Sequence, residues 1–164
     1  VLMTFTSFLF YVPVNILAKK FGKKKMVIGA FFFFAFAFLF TSFSGLVNVS
    51  NTIYGIAIAV LAALPMAVLG ILPQAIVADI AQSESKLTGE NREGMFFAAR
   101  TFSFKLGQSI SILIFTSLAT IGQATGLGYR IALYVAVAFS VLGAVILLKY
   151  NEKKVLSSIE MSKI

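Results

Sequence analysis

Long apolar blocks alternate with short polar breaks along this chain. A helix needs about 20 mostly apolar residues to cross a bilayer. Residues 1–18, 26–47, 53–78, 95–121 and 131–148 form five such blocks. The pattern predicts an all-α fold: a polytopic transmembrane helix bundle over 1–148, followed by a polar C-terminal tail over 149–164. Each break has its own character. Residues 19–25 form a short basic turn, 48–52 carry no charge, and 79–94 are expected to be a long loop of mixed charge. Residues 122–129 are Gly-rich and neutral, with Arg130 directly after them. Pro65 and Pro73 lie inside the third block. They free carbonyls that neighbouring helices must satisfy, and mark a kink that is either static or used in gating.

The basic residues orient the bundle. Of 14 Lys and Arg, eleven fall in the first and third breaks and the tail. Arg130 stands alone on the opposite side, and Arg100 and Lys105 lie inside the fourth block. The positive-inside rule then puts the basic turn, the charged loop and the tail in the cytoplasm of a plasma (inner) membrane, with Val1 outside. The same placement accounts for the net charge of +8 without a nucleic-acid partner. The five tyrosines fall mostly near block ends, as in an interfacial aromatic belt, and Phe31–Phe34 reads as lipid-facing bulk.

Composition narrows the chemistry further. The chain is 59% hydrophobic and 12% charged, where a soluble domain is about 45–50% apolar and about 25% charged. Cysteine and histidine are absent, which removes disulfides, thiolate chemistry and the commonest general base. No G-x-S-x-G motif and no pair of acids within a block speak for an enzyme. The chain opens inside an apolar run with no basic segment and cleavage site before it, so a signal peptide is not expected. It reads as the later part of a longer protein.

The fourth block carries the most informative residue. Lys105 lies well inside an apolar stretch, where a charge costs roughly 2.5–3.5 kcal/mol on insertion scales. Such a residue faces a bundle interior or a watery cavity and marks a functional site. A helix advances about 100° per residue. Thr101, Lys105, Gln108 or Ser109, Ile112 and Thr116 therefore share one mostly polar stripe. The other sides carry Phe, Leu and Ile. Lys105 is thus expected on a solute pathway or in a buried ion pair. Arg100 lies near enough to the block end to snorkel. No acid lies within any block, so the partner of Lys105 is a substrate, a carbonyl or an acid beyond these residues.

Asp79, Thr88-Gly89, Arg92-Glu93-Gly94, Phe96-Phe97, Thr101-Phe102 and Lys105-Leu106-Gly107 occur in this order. With them the chain resembles the glycoside–pentoside–hexuronide:cation symporters (melibiose permease-like) of the major facilitator superfamily. The basic turn at 18–25 and Lys149-Tyr150-Asn151-Glu152 are similar to that family as well. The resemblance covers most of the chain and implies the C-terminal half of a twelve-helix transporter, with five of its spans present. It implies that Lys105, Thr101 and Arg100 line the substrate cavity; Gln108, which the helical stripe places beside Lys105, is expected to bind substrate with them. It also implies a cytoplasmic gate of Asp79, Thr88, Gly89, Arg92, Glu93 and Gly94. Two positions depart from the pattern: 81–83 read Ala-Gln-Ser where many members carry Asp-Tyr, and Arg100 stands where an uncharged residue is usual.

The expected function is cation-coupled symport of a glycoside or other sugar by alternating access. No cofactor is expected, and the coupling ion, Na⁺ or H⁺, would bind on the N-terminal half. Asp79, Glu84, Glu90 and Glu93 would face Lys86 and Arg92 across the charged loop, in ion pairs that close one conformation. Two alternatives stay open. One is a lysolipid transporter of the same fold. The other is a non-transporting membrane subunit in which Lys105 pairs with an acid on a partner helix.

Overall fold

The computed structural model describes residues 2–45, 50–123 and 125–161. Val1, the end of the second expected span at Val47, positions 48 and 49 of the uncharged break, and the last three tail residues lie outside them. Within them the chain is helical: α1 Leu2–Phe21, α2 Lys23–Ser42, α3 Asn51–Thr88, α4 Glu93–Ala119, α5 Leu127–Leu148 and α6 Glu152–Met161. Among the described residues four helices, α2 to α5, are long and apolar enough to cross a membrane. The first expected span is the 20-residue α1, which closes on Lys19 and Lys20.

Two expectations are corrected. The long loop over 79–94 does not exist, because α3 continues through it to Thr88. Its 38 residues make a rod of about 57 Å at 1.5 Å per residue, nearly twice the ~30 Å hydrocarbon core. The last turns persist because Ala81 and Ser83 are buried there, giving the helix a packed face beyond its apolar block. The second correction concerns the tail. Residues 152–161 form α6, whose Val155, Ser158 and Ile159 are half-buried at helical spacing. The Ser83 and Ser158 hydroxyls bond to each other, and Lys86 Nζ donates to the Ile159 carbonyl at 2.9 Å. The charged stretch and the tail therefore form a helix pair.

The core lies between α1, α2 and α3. Val14 and Ala18 meet Val27 and Ala30 of α2 and Ala67, Val68, Leu72 and Ile76 of α3. Much of it is alanine: Ala63, Ala67 and Ala144 are wholly buried. Small side chains let backbones approach, which drives helix association where lipid tails are as apolar as leucine. Pro65 is buried within this packing, and both prolines sit inside an unbroken α3. The phenylalanine run divides: Phe31 packs on the core while Phe32 remains 51% exposed. Only part of that run is thus available to lipid. α5 packs along α2 and holds α4 at its other side, with α3 as the second neighbour of α4. At the end away from the basic turn, Tyr54 stacks on Phe40 at 4.9 Å and donates to its carbonyl, tying α2 to α3.

Candidate functional site

α4 is the least covered helix, with no buried residue along its length. Its half-buried positions include Phe96, Arg100, Ile114 and Leu118. At 100° per residue these share one face, turned to α3 and α5. Thr101, Lys105 and Gln108 lie away from that face and are exposed, as is every other position from 101 to 113. The Lys105 ammonium and the Gln108 amide have no hydrogen-bond or ion-pair partner among the described residues. Lys105 lies about 18 Å along the helix from Glu93, well inside the span. Ser109 and Thr116 return their hydroxyls to the carbonyls of Lys105 and Ile112, so the polar stripe keeps its backbone satisfied.

Arg100 is separated from the other three. It sits on the packed side of α4, with its guanidinium over the Phe104 ring at 5.4 Å, a cation–π contact. Ser111, Ile114, Phe115, Ala132, Val135, Ala136 and Phe139 line an apolar cleft of about 290 Å³ between α4 and α5. This cleft is on the far side of α4 from Lys105.

The expected gate residues fall into two groups. Asp79 accepts Lys23 Nζ at 2.6 Å, a half-buried pair between α3 and the basic turn. The others build a tight link between α3 and α4. Thr88 Oγ1 donates to the Glu84 carbonyl at 2.9 Å and accepts the Glu90 N–H at 3.3 Å. Gly89 ends α3 in the left-handed conformation, its N–H on the Ser85 carbonyl. Arg92 precedes α4 and pairs with Glu90. The Glu93 N–H donates to Asn91 Oδ1 at 3.2 Å, and Gly94 is exposed in the first turn of α4. The expected partnership of Lys86 with these acids is corrected. Lys86 caps the carbonyl end of α6, and Asp79 takes its cation from the basic turn.

One functional-looking feature escaped the sequence. Glu152 Oε1 accepts the Lys23 N–H at 2.7 Å and Oε2 the Lys24 N–H at 3.3 Å. The tail thus caps the N-terminus of α2 across the fold, and Lys24 Nζ returns bonds to the Leu148 and Tyr150 carbonyls. The Tyr150 hydroxyl is buried without a hydrogen-bond partner among the described residues. Burial, aided by the Asp79 and Glu152 charges, pushes its pKa up to about 12. The turn, α3, the end of α5 and α6 thereby form one knit polar end. The sequence marked both partners, the turn at 18–25 and Lys149-Tyr150-Asn151-Glu152, as family-like segments and gave no sign that they meet.

The family model described as MFS/sugar transport protein matches residues 1–151. The chain belongs to that family. It is therefore an integral membrane protein of a major facilitator transporter. Its match runs through all five long helices and ends at the start of α6. No curated protein and no solved structure matches the chain. The Lys105 ammonium stands on an uncovered side of α4, without a hydrogen-bond or ion-pair partner among the described residues.

Proposed function

We propose that the chain is part of a cation-coupled symporter for a sugar or sugar-like solute, and that the Lys105 face of α4 lines the solute pathway. The observation that carries this reading is the exposed stripe of Thr101, Lys105 and Gln108, away from the face by which α4 joins its neighbours. A polar stripe with a free ammonium is costly against lipid and favourable against water, solute and a second helical bundle. Lys105 would donate to a sugar hydroxyl or neutralise a substrate carboxylate, and Thr101 and Gln108 would add neutral hydrogen bonds. Arg100 would act indirectly, by setting the rotation of α4 through its packed side. Alternating access would rock this bundle against an N-terminal half carrying the Na⁺ or H⁺ site. The Lys23–Asp79 pair and the 88–94 link would serve as the cytoplasmic gate, with the tail on the cytoplasmic side of the plasma membrane. A gate balanced within a few kcal/mol needs no stronger pair.

The test is uptake of labelled glycosides by cells expressing the complete gene product. Lys105→Ala should abolish accumulation while membrane abundance stays level, and Lys105→Arg should retain part of it. Normal uptake by the alanine variant would sink the assignment. The apolar α4–α5 cleft favours one second reading, a lysolipid-like solute. Inhibition of uptake by lysolipids and not by sugars would select it.

A further inference from the structure

At the polar end of the fold, the N-terminus of α2 and the α5–α6 junction enclose a cleft of about 560 Å³. Lys24, Lys25, Lys149 and Lys153 line it, with Ile28 and Leu148 on its apolar side. We propose that this cleft holds the phosphate head group of an anionic phospholipid.

Charge is the first argument. Glu152 is the one acid in the lining, and both its oxygens are already engaged by the backbone N–H groups of Lys23 and Lys24. Lys24 is fixed by two carbonyls, which leaves one N–H of its ammonium to spare. Lys25, Lys149 and Lys153 have no hydrogen-bond or ion-pair partner among the described residues. Four ammonium groups therefore share one cleft with a single carboxylate, whose oxygens are held at a helix end. Such a cluster repels itself until an anion enters.

Position is the second argument, and it selects a lipid over a free anion. α2 begins at Lys23 and α5 ends at Leu148, so the cleft lies where two spans leave the hydrocarbon. Phe32, one turn beyond Ile28, is 51% exposed, and Val145, one turn before Leu148, is 48% exposed. The i, i+3 and i+4 spacing keeps these on the faces that line the cleft. An apolar track thus leads from the lysines down into the membrane, parallel to an acyl chain. Basic pockets between transmembrane helices bind anionic head groups in this way. The inference rests on membrane insertion alone, so failure of the sugar-uptake test leaves it intact.

Native mass spectrometry of the purified chain tests it, with dioleoyl phosphatidylglycerol and dioleoyl phosphatidylcholine as probes. The expected result is retention of phosphatidylglycerol at least about tenfold tighter than phosphatidylcholine, given a few-fold attraction per lysine. The triple variant Lys25→Gln, Lys149→Gln, Lys153→Gln should lose that preference, and the Lys→Arg triple should keep it. Lys149→Gln alone should weaken binding about fivefold, a readout that survives if the triple fails to fold. Lys19→Gln with Lys20→Gln, equally basic but outside the cleft, should bind as the parent does. Equal retention of phosphatidylcholine, equal loss in the Lys19/Lys20 variant, or displacement of the lipid by millimolar inorganic phosphate would each overturn the proposal.

Discussion

Gly22 shows how one residue couples the two ends of the chain. Its φ of +90° suits glycine, and a Cβ there would stand 2.9 Å from Glu152 Oε2. With ψ at 145°, an alanine would strain the backbone by about 1–3 kcal/mol and push the carboxylate off the α2 N-terminus, where an anion contributes roughly another 0.3–1 kcal/mol. Gly22→Ala is therefore expected to lower the melting temperature in detergent, and an unchanged melt would refute the coupling. Tyr150 gives a second prediction at this scale. Its folded pKa is raised to about 12 from the ordinary 10.0. The unfolded chain then ionises first as pH rises, so this group leaves stability untouched below about pH 10 and lowers it between about 10 and 12. Tyr150→Phe should melt at or above the parent temperature at neutral pH, since the hydroxyl has no partner among the described residues. It should also lose less stability than the parent across that alkaline window. A steeper alkaline loss in the variant would contradict the assignment. Lys105 was legible in the sequence because an ionisable residue inside an apolar run is conspicuous whatever surrounds it. Glu152 was not, since an acid in a polar tail has nothing local to distinguish it.

Periodicity alone gives α4 its polar stripe, at 100° per residue, while the structure leaves every position from 101 to 113 exposed, the apolar ones included. The sequence grouped Arg100 with Lys105 only through the resemblance, and the helix places them about 140° apart. The resulting prediction is specific because the chain contains no cysteine. Single cysteines at Thr101 or Gln108 should react readily with a water-soluble maleimide in the membrane-inserted protein. A cysteine at Leu118, on the packed side, should react slowly. Equal rates would mean that the stripe faces lipid. α3 and α6 show the opposite case. Residues 79–88 look like a loop because charge interrupts the apolar run, yet they remain helical where Ala81 and Ser83 meet the tail. Neither segment carries enough apolar surface to announce itself, and only their docking selects helix over coil.

At the scale of the molecule the basic groups gather at one end. Lys23, Lys24, Lys86 and the tail are linked there through Asp79, Glu152 and the carbonyls of α5 and α6. If that end is cytoplasmic, as the positive-inside rule requires, a single cysteine at Ser157 should be labelled only after the inner face is opened. One at Gln123 should be labelled from outside intact cells. The reverse pattern would invert the bundle. The sequence by itself determined the long apolar helices and the lysine inside one of them, and it set the expectation for their topological sense. Each follows from the cost of placing charge and unpaired backbone in hydrocarbon, which acts on a segment wherever its neighbours are. Only the tertiary structure decided which carboxylate meets which lysine and that the tail caps α2. Those outcomes depend on contacts between residues as much as 129 positions apart, and no local pattern carries them.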